Sequence, residues 1–140
     1  MNIMTYEDFK TTEDYQEFID RNSSTGTLKV KAFTAYQAIP IPNTEILVTK
    51  DIEDNRVLFF RGFTDESGII KNIELPAPPE DTNPTPDTEP QYTVYDLTAI
   101  HEGYETIKKY NIGIFGNIGV IQYVKMIPQV EIEGKNTNGD

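Results

Sequence analysis

From Gly26 onward the apolar residues fall on alternate positions. Leu28, Val30 and Ala32 interleave with Thr27, Lys29 and Lys31, the period of a strand with one buried face. The same weight of β-branched and aromatic residues returns over Glu45–Lys50, Val57–Thr64, Ile69–Leu75, Tyr92–Ile100, Tyr104–Ile114 and Val120–Ile127. Between these runs stand turn signals. They are Asp51–Arg56, the Thr64–Gly68 run with Asp65 and Gly68 at its key positions, Glu102-Gly103 before Tyr104, and Gly116-Asn117. Tyr92–Tyr104 is the expected central strand, since both halves of a sandwich must pair around it. Seven short strands of this kind predict an all-β, seven-stranded antiparallel β-sandwich with a short N-terminal helix.

The helix is predicted within Thr5–Arg21. Thr11 or Thr12 can cap it, and Glu13 and Asp14 suit the positive end of its dipole. Tyr15, Phe18 and Ile19 then form one narrow apolar stripe, and Asn22–Gly26 ends it. The chain thus divides into an N-terminal helical arm (1–25), a sandwich domain (26–130) and a polar tail (131–140) expected to be disordered. Ile39-Pro40-Ile41-Pro42 reads as a connection or an edge, because proline donates nothing to a ladder. Residues 76–90 hold six of the nine prolines and are expected to form an extended or mobile surface loop.

At 140 residues a single domain is expected, and 8 Tyr and 7 Phe supply its large buried side chains. The absence of cysteine excludes disulfides, thiolate catalysis and cysteine-ligated zinc. The formal net charge of −11 repels phosphate backbones, so nucleic acid is not an expected partner. No apolar run approaches the length of a membrane span, and Met1–Lys10 lacks the pattern of a secretory signal.

Candidate chemistry is sparse. Asp51–Asn55 spaces oxygen atoms like the start of a calcium loop, but Arg56 and Gly62 occupy the positions that need glycine and glutamate. His101 is the only histidine, and Ser23, Ser24 and Ser67 all lie in expected turns without a nucleophile elbow. Acidic pairs abound, yet a sandwich of this size is expected to have little room for a substrate cleft. No catalytic residue, cofactor or metal ligand is therefore assigned, and the chain is not expected to be an enzyme. Tyr15, Phe18 and Ile19 of the helix stripe, with Tyr36, Ile39 and Ile41, are the candidate interface.

Pro42-Asn43-Thr44-Glu45-Ile46, Thr64–Gly68, Tyr95-Asp96-Leu97 with Gly103-Tyr104, and Met126-Ile127-Pro128 resemble the motifs of carboxypeptidase regulatory-like, or transthyretin-like (prealbumin-like), β-sandwich domains. More narrowly, Glu74–Pro78 and Ile114–Ile118 look similar to accessory domains of clostridial spore-cortex and peptidoglycan-associated proteins. The resemblance implies a transthyretin-like sandwich. In related adhesin and pilus domains a Lys–Asn isopeptide bond locks the fold; Lys29 or Lys31 is placed for one, but Val120–Ile127 holds neither Asn nor Asp. The resulting expectation is a non-catalytic structural or interaction module in a bacterial envelope, spore layer or particle, binding a protein partner or itself as a homo-oligomer. The alternative is a carbohydrate- or peptidoglycan-binding accessory domain using Tyr92, Tyr104 or Tyr110 as stacking platforms. The compartment is left open.

Overall fold

The computed structural model of the chain describes residues 2–35, 38–81, 85–87, 89 and 91–130. Tyr36 and the polar tail, both singled out above, lie outside them. In chain order the elements are β1 (Asn2–Thr5), α1 (Tyr6–Phe9), α2 (Tyr15–Arg21), β2 (Ser24–Thr34), β3 (Ile39–Pro40), β4 (Glu45–Ile52), β5 (Asn55–Phe63), β6 (Ile69–Ala77), β7 (Thr93–Ile100), β8 (Ile107–Ile114) and β9 (Gly119–Lys125). Two sheets face each other. One runs β1-β5-β4-β7-β8; the other is built on β2, which pairs with β3, β6 and β9.

The all-β sandwich is therefore present, but the strand count and pairing differ from expectation. Nine strands occur among the described residues, not seven, and two pairs are parallel: β1 with β5, and β2 with β9. Both extra strands, β1 and β3, are short edges that no local periodicity marks: β1 pairs with the remote β5, and β3 is two residues folded back on the end of β2. The single expected helix is two short ones. Thr5 caps α1 by accepting from the Asp8 amide at 3.1 Å, while Asp14 begins α2 without a side-chain cap.

Alternation sets the core as the sequence pattern demands. Leu28, Val30 and Ala32 of β2 meet Ile46 and Val48 of β4 and Leu97 and Ala99 of β7 across the interior, all fully buried. A second cluster lies against it, in which Phe9 and Phe18 pack on Ile52 and Val57, and Phe59 touches both clusters. Phe59 lies 4.6 Å from the Tyr6 ring and 5.1 Å from the Tyr95 ring, so the N-terminal segment is attached through aromatic packing.

The expected proline-rich loop begins later than residue 76. Pro76 and Ala77 still pair with Thr25 and Ser24, so β6 continues through them. Tyr95 closes the sandwich by donating its hydroxyl to the Pro76 carbonyl at 2.5 Å, a bond from one sheet to the other. Burial, and then the neighbouring Tyr6, push the Tyr95 hydroxyl well above the usual phenol range, so it stays a donor.

A candidate ligand cleft at one end of the sandwich

Four stretches converge at the end of the sandwich that α2 covers. They are α2 with its flanking Asp14 and Asn22, the end of β4 and its turn (residues 50–53), the chain after β6 (residues 78–81), and the approach to β7 (residues 91–93). Together they enclose a cleft of about 740 Å³, within the usual size of small-molecule sites. The sequence-based expectation is that a sandwich of this size has little room for a substrate cleft; the structure shows one of this volume. The volume is built by loops and a helix laid over the sheet end, not hollowed from the core.

The rim is strongly acidic. Asp14, Glu17, Asp51, Glu53, Glu80 and Asp81 line it, against only Arg21 and Lys50. Arg21 is engaged with Glu17 at 2.8 Å, and Asp51 accepts from Arg56 at 2.7 Å. Glu80 accepts from Asn117 at 3.3 Å, which ties the chain after β6 to the turn before β9. Tyr92 stands at the opening, more than half exposed, with its ring 5.4 Å from Phe115.

Two interior groups give the cleft its character. Asn22 ends α2 and is buried; its Nδ2 donates to the Phe18 carbonyl at 2.9 Å. Its Oδ1 accepts from no donor among the described residues. A buried acceptor left without a donor costs about 1–3 kcal/mol, and Asn22 is one of the residues that line this cleft.

Lys50 is the second. Ile46, Val48, Lys50 and Ile52 fall on alternate positions of β4, so the lysine continues an inward-facing row and is half-buried. Its partner in register is the fully buried Val57. Nζ donates to the Val94 carbonyl at 2.9 Å and lies 5.6 Å from the centre of the Tyr95 ring. Lys50 belongs to no ion pair among the described residues. Burial lowers its pKa from the ordinary lysine value, and the carboxylates of Asp96 and Asp51 only partly oppose that.

The residues singled out in the sequence are dispersed. Phe18 is buried in the aromatic cluster, where the Phe9 ring lies 5.8 Å from it and 6.0 Å from Tyr15. Ile19 is half-buried on the same helix. Ile41 is buried in the main core, and Ile39 is exposed on the other sheet. Asp65 and Gly68 form a closed turn: Asp65 Oδ1 accepts from the amides of Ser67 and Ile69, and Gly68 has φ +75°. A Cβ there would lie 2.4 Å from the Ala32 carbonyl, so glycine is required. Gly103 adopts φ +85°, and Tyr104 bridges to Pro128. Lys29 and Lys31 are half-buried, beside Ile121 and Tyr123 of β9. His101 sits over Tyr104, ring centres 5.3 Å apart. Tyr110 is exposed on β8.

No family model and no curated protein matches this chain. Among solved structures it is similar to catechol 1,2-dioxygenase from Acinetobacter sp. ADP1 inhibited by bound mercury (TM-score 0.47, 12% identity, 76% of this chain and 53% of that one). It is also similar to 3-chlorocatechol 1,2-dioxygenase from Rhodococcus opacus 1CP (0.43, 12%, 74% and 61%). A third is a point mutant of Acinetobacter radioresistens catechol 1,2-dioxygenase (0.43, 10%, 93% and 58%). The chain thus spans little more than half the length of each. These neighbours are enzymes, which corrects the expectation of a non-catalytic structural or interaction module and its glycan-binding alternative. Neither is carried forward. At these TM-scores the likeness assigns no residue role and no reaction to this chain.

Proposed function

We propose that the chain is a small-molecule-binding domain whose ligand is a compact organic cation held in the end cleft. The observation that carries this reading is the unpartnered Oδ1 of Asn22, a buried residue that lines a cleft rimmed by six carboxylates. A ligand with a positive head and a hydroxyl or amino donor answers both. Its charge meets the acidic rim, and its donor meets Asn22. Tyr92 adds an aromatic edge at the opening, a surface that attracts ammonium groups.

Choline is the direct probe, since it has a quaternary ammonium and one hydroxyl. Calorimetric titration should show saturable, salt-weakened binding of choline, and no binding of the neutral isostere in which carbon replaces its nitrogen. Equal binding of the two compounds, or of neither, would remove the basis for a cation site.

A further inference from the structure

The cleft holds one amine that the binding of a cation does not use. Lys50 rises from the inward-facing row of β4, and its Nζ is fixed from one side by the Val94 carbonyl at 2.9 Å. The face of Tyr95 lies 5.6 Å away. Tyr95 is itself anchored through its hydroxyl to Pro76, so the amine is mounted on the rigid junction of the two sheets. Among the described residues no other lysine combines the two features. Lys71, Lys108 and Lys125 are exposed on strand surfaces, and Lys10, 5.0 Å from the centre of the Tyr6 ring, is an exposed residue paired with Glu7.

We infer that Lys50 captures carbonyl compounds: an aldehyde or ketone entering the cleft forms an imine with its Nζ. The nitrogen lone pair attacks the carbonyl carbon, a C–N bond forms, and the C=O π pair moves to oxygen. Two protons pass from nitrogen to that oxygen in the course of the reaction, and the oxygen leaves as water while the lone pair closes the C=N bond. Atoms balance with no oxidant or reductant. The reaction needs an unprotonated amine, and the desolvation of Lys50 raises that fraction above the level of an exposed lysine. Confinement supplies the other requirement, holding the carbonyl near the amine instead of leaving the encounter to chance. This deepens the proposed function: it needs the cleft to admit ligands, and the cation preference then selects cationic carbonyl compounds.

The test uses the full chain, betaine aldehyde as a cationic carbonyl probe, and cyanoborohydride to trap any imine, followed by peptide mass mapping near neutral pH. Lys50 is expected to be labelled several-fold faster than Lys71, Lys108 and Lys125, because the cleft confines the carbonyl beside it and burial favours its unprotonated form. Lys50→Arg keeps the charge and cannot form the imine; in it the label at this position should vanish while the three reference lysines react as before. Labelling of Lys50 at or below the reference rate overturns the inference. Glyoxylate, an anionic aldehyde, separates the two claims. If it labels Lys50 as fast as betaine aldehyde does, carbonyl capture stands and the cation preference of the cleft falls. If choline binds but neither aldehyde favours Lys50, the cleft reading stands and carbonyl capture falls.

Discussion

The ammonium of Lys50 donates to the carbonyl of Val94 at 2.9 Å, across the end of the larger sheet, with no ion pair to Lys50 among the described residues. Because burial lowers its pKa, the unfolded chain binds a proton that the folded chain sheds, between the folded value and the ordinary 10.5. Native stability therefore gains from this group as pH rises through that window, and nothing further is gained above it. Lys50→Met lacks the gain. Its melting temperature relative to the parent should be highest at neutral pH and decline steadily toward pH 10.5. A difference that stays constant over that range contradicts the burial of a strained charge.

Tyr95 ties the sheets by donating its hydroxyl to the Pro76 carbonyl. Tyr95→Phe keeps the packing and deletes the bond. It should cost about 1–2 kcal/mol in urea unfolding, with little change in the denaturant slope. A loss under a few tenths would mean that the bond carries no weight.

Thr64 is buried at a three-way junction. Its Oγ1 donates to the Ile41 carbonyl at 2.7 Å and accepts from the Thr44 amide at 2.9 Å. Thr64→Val conserves shape and leaves the buried Thr44 amide without its acceptor, while the Ile41 carbonyl keeps the Thr44 hydroxyl at 3.1 Å, so about 1–3 kcal/mol of stability should be lost. Thr64→Ser, which keeps the hydroxyl, should lose less, and the comparison separates hydrogen bonding from packing.

Glu17 and Glu53 are exposed rim carboxylates, one on α2 and one in the turn after β4. Replacing both with glutamine should weaken choline about two- to tenfold, in keeping with the modest worth of exposed charges, and should flatten the salt dependence. Melting temperature should barely move. Unchanged affinity would place the cation elsewhere.

Much of the fold was legible in the sequence. The alternation Leu28-Val30-Ala32 marked β2, and Asp65 to Gly68 marked a turn whose side-chain bonds and positive φ the structure shows. What escaped depends on contacts distant in sequence. β3 is only two residues, one of them proline, folded back on the end of β2, and β1 is too short to carry a period of its own and exists by pairing with the remote β5. The cleft escaped for the same reason, since its walls come from residues 14–22, 50–53, 78–81 and 91–93. One signal for it was available. Lys50 stands in phase with Ile46, Val48 and Ile52, and a lysine in a buried row points to a wet opening at the end of the core. Asn22 offered no such signal, because its burial follows only from where α2 comes to rest.

The most direct test of the cleft as a cation site is amide mapping by nuclear magnetic resonance during titration with choline. Saturable shifts are expected at Asn22, at Lys50 through Glu53, and at Tyr92 and Thr93, with one common midpoint, while β8 and β9 stay still. Shifts that never saturate, or that gather away from those residues, would contradict the account.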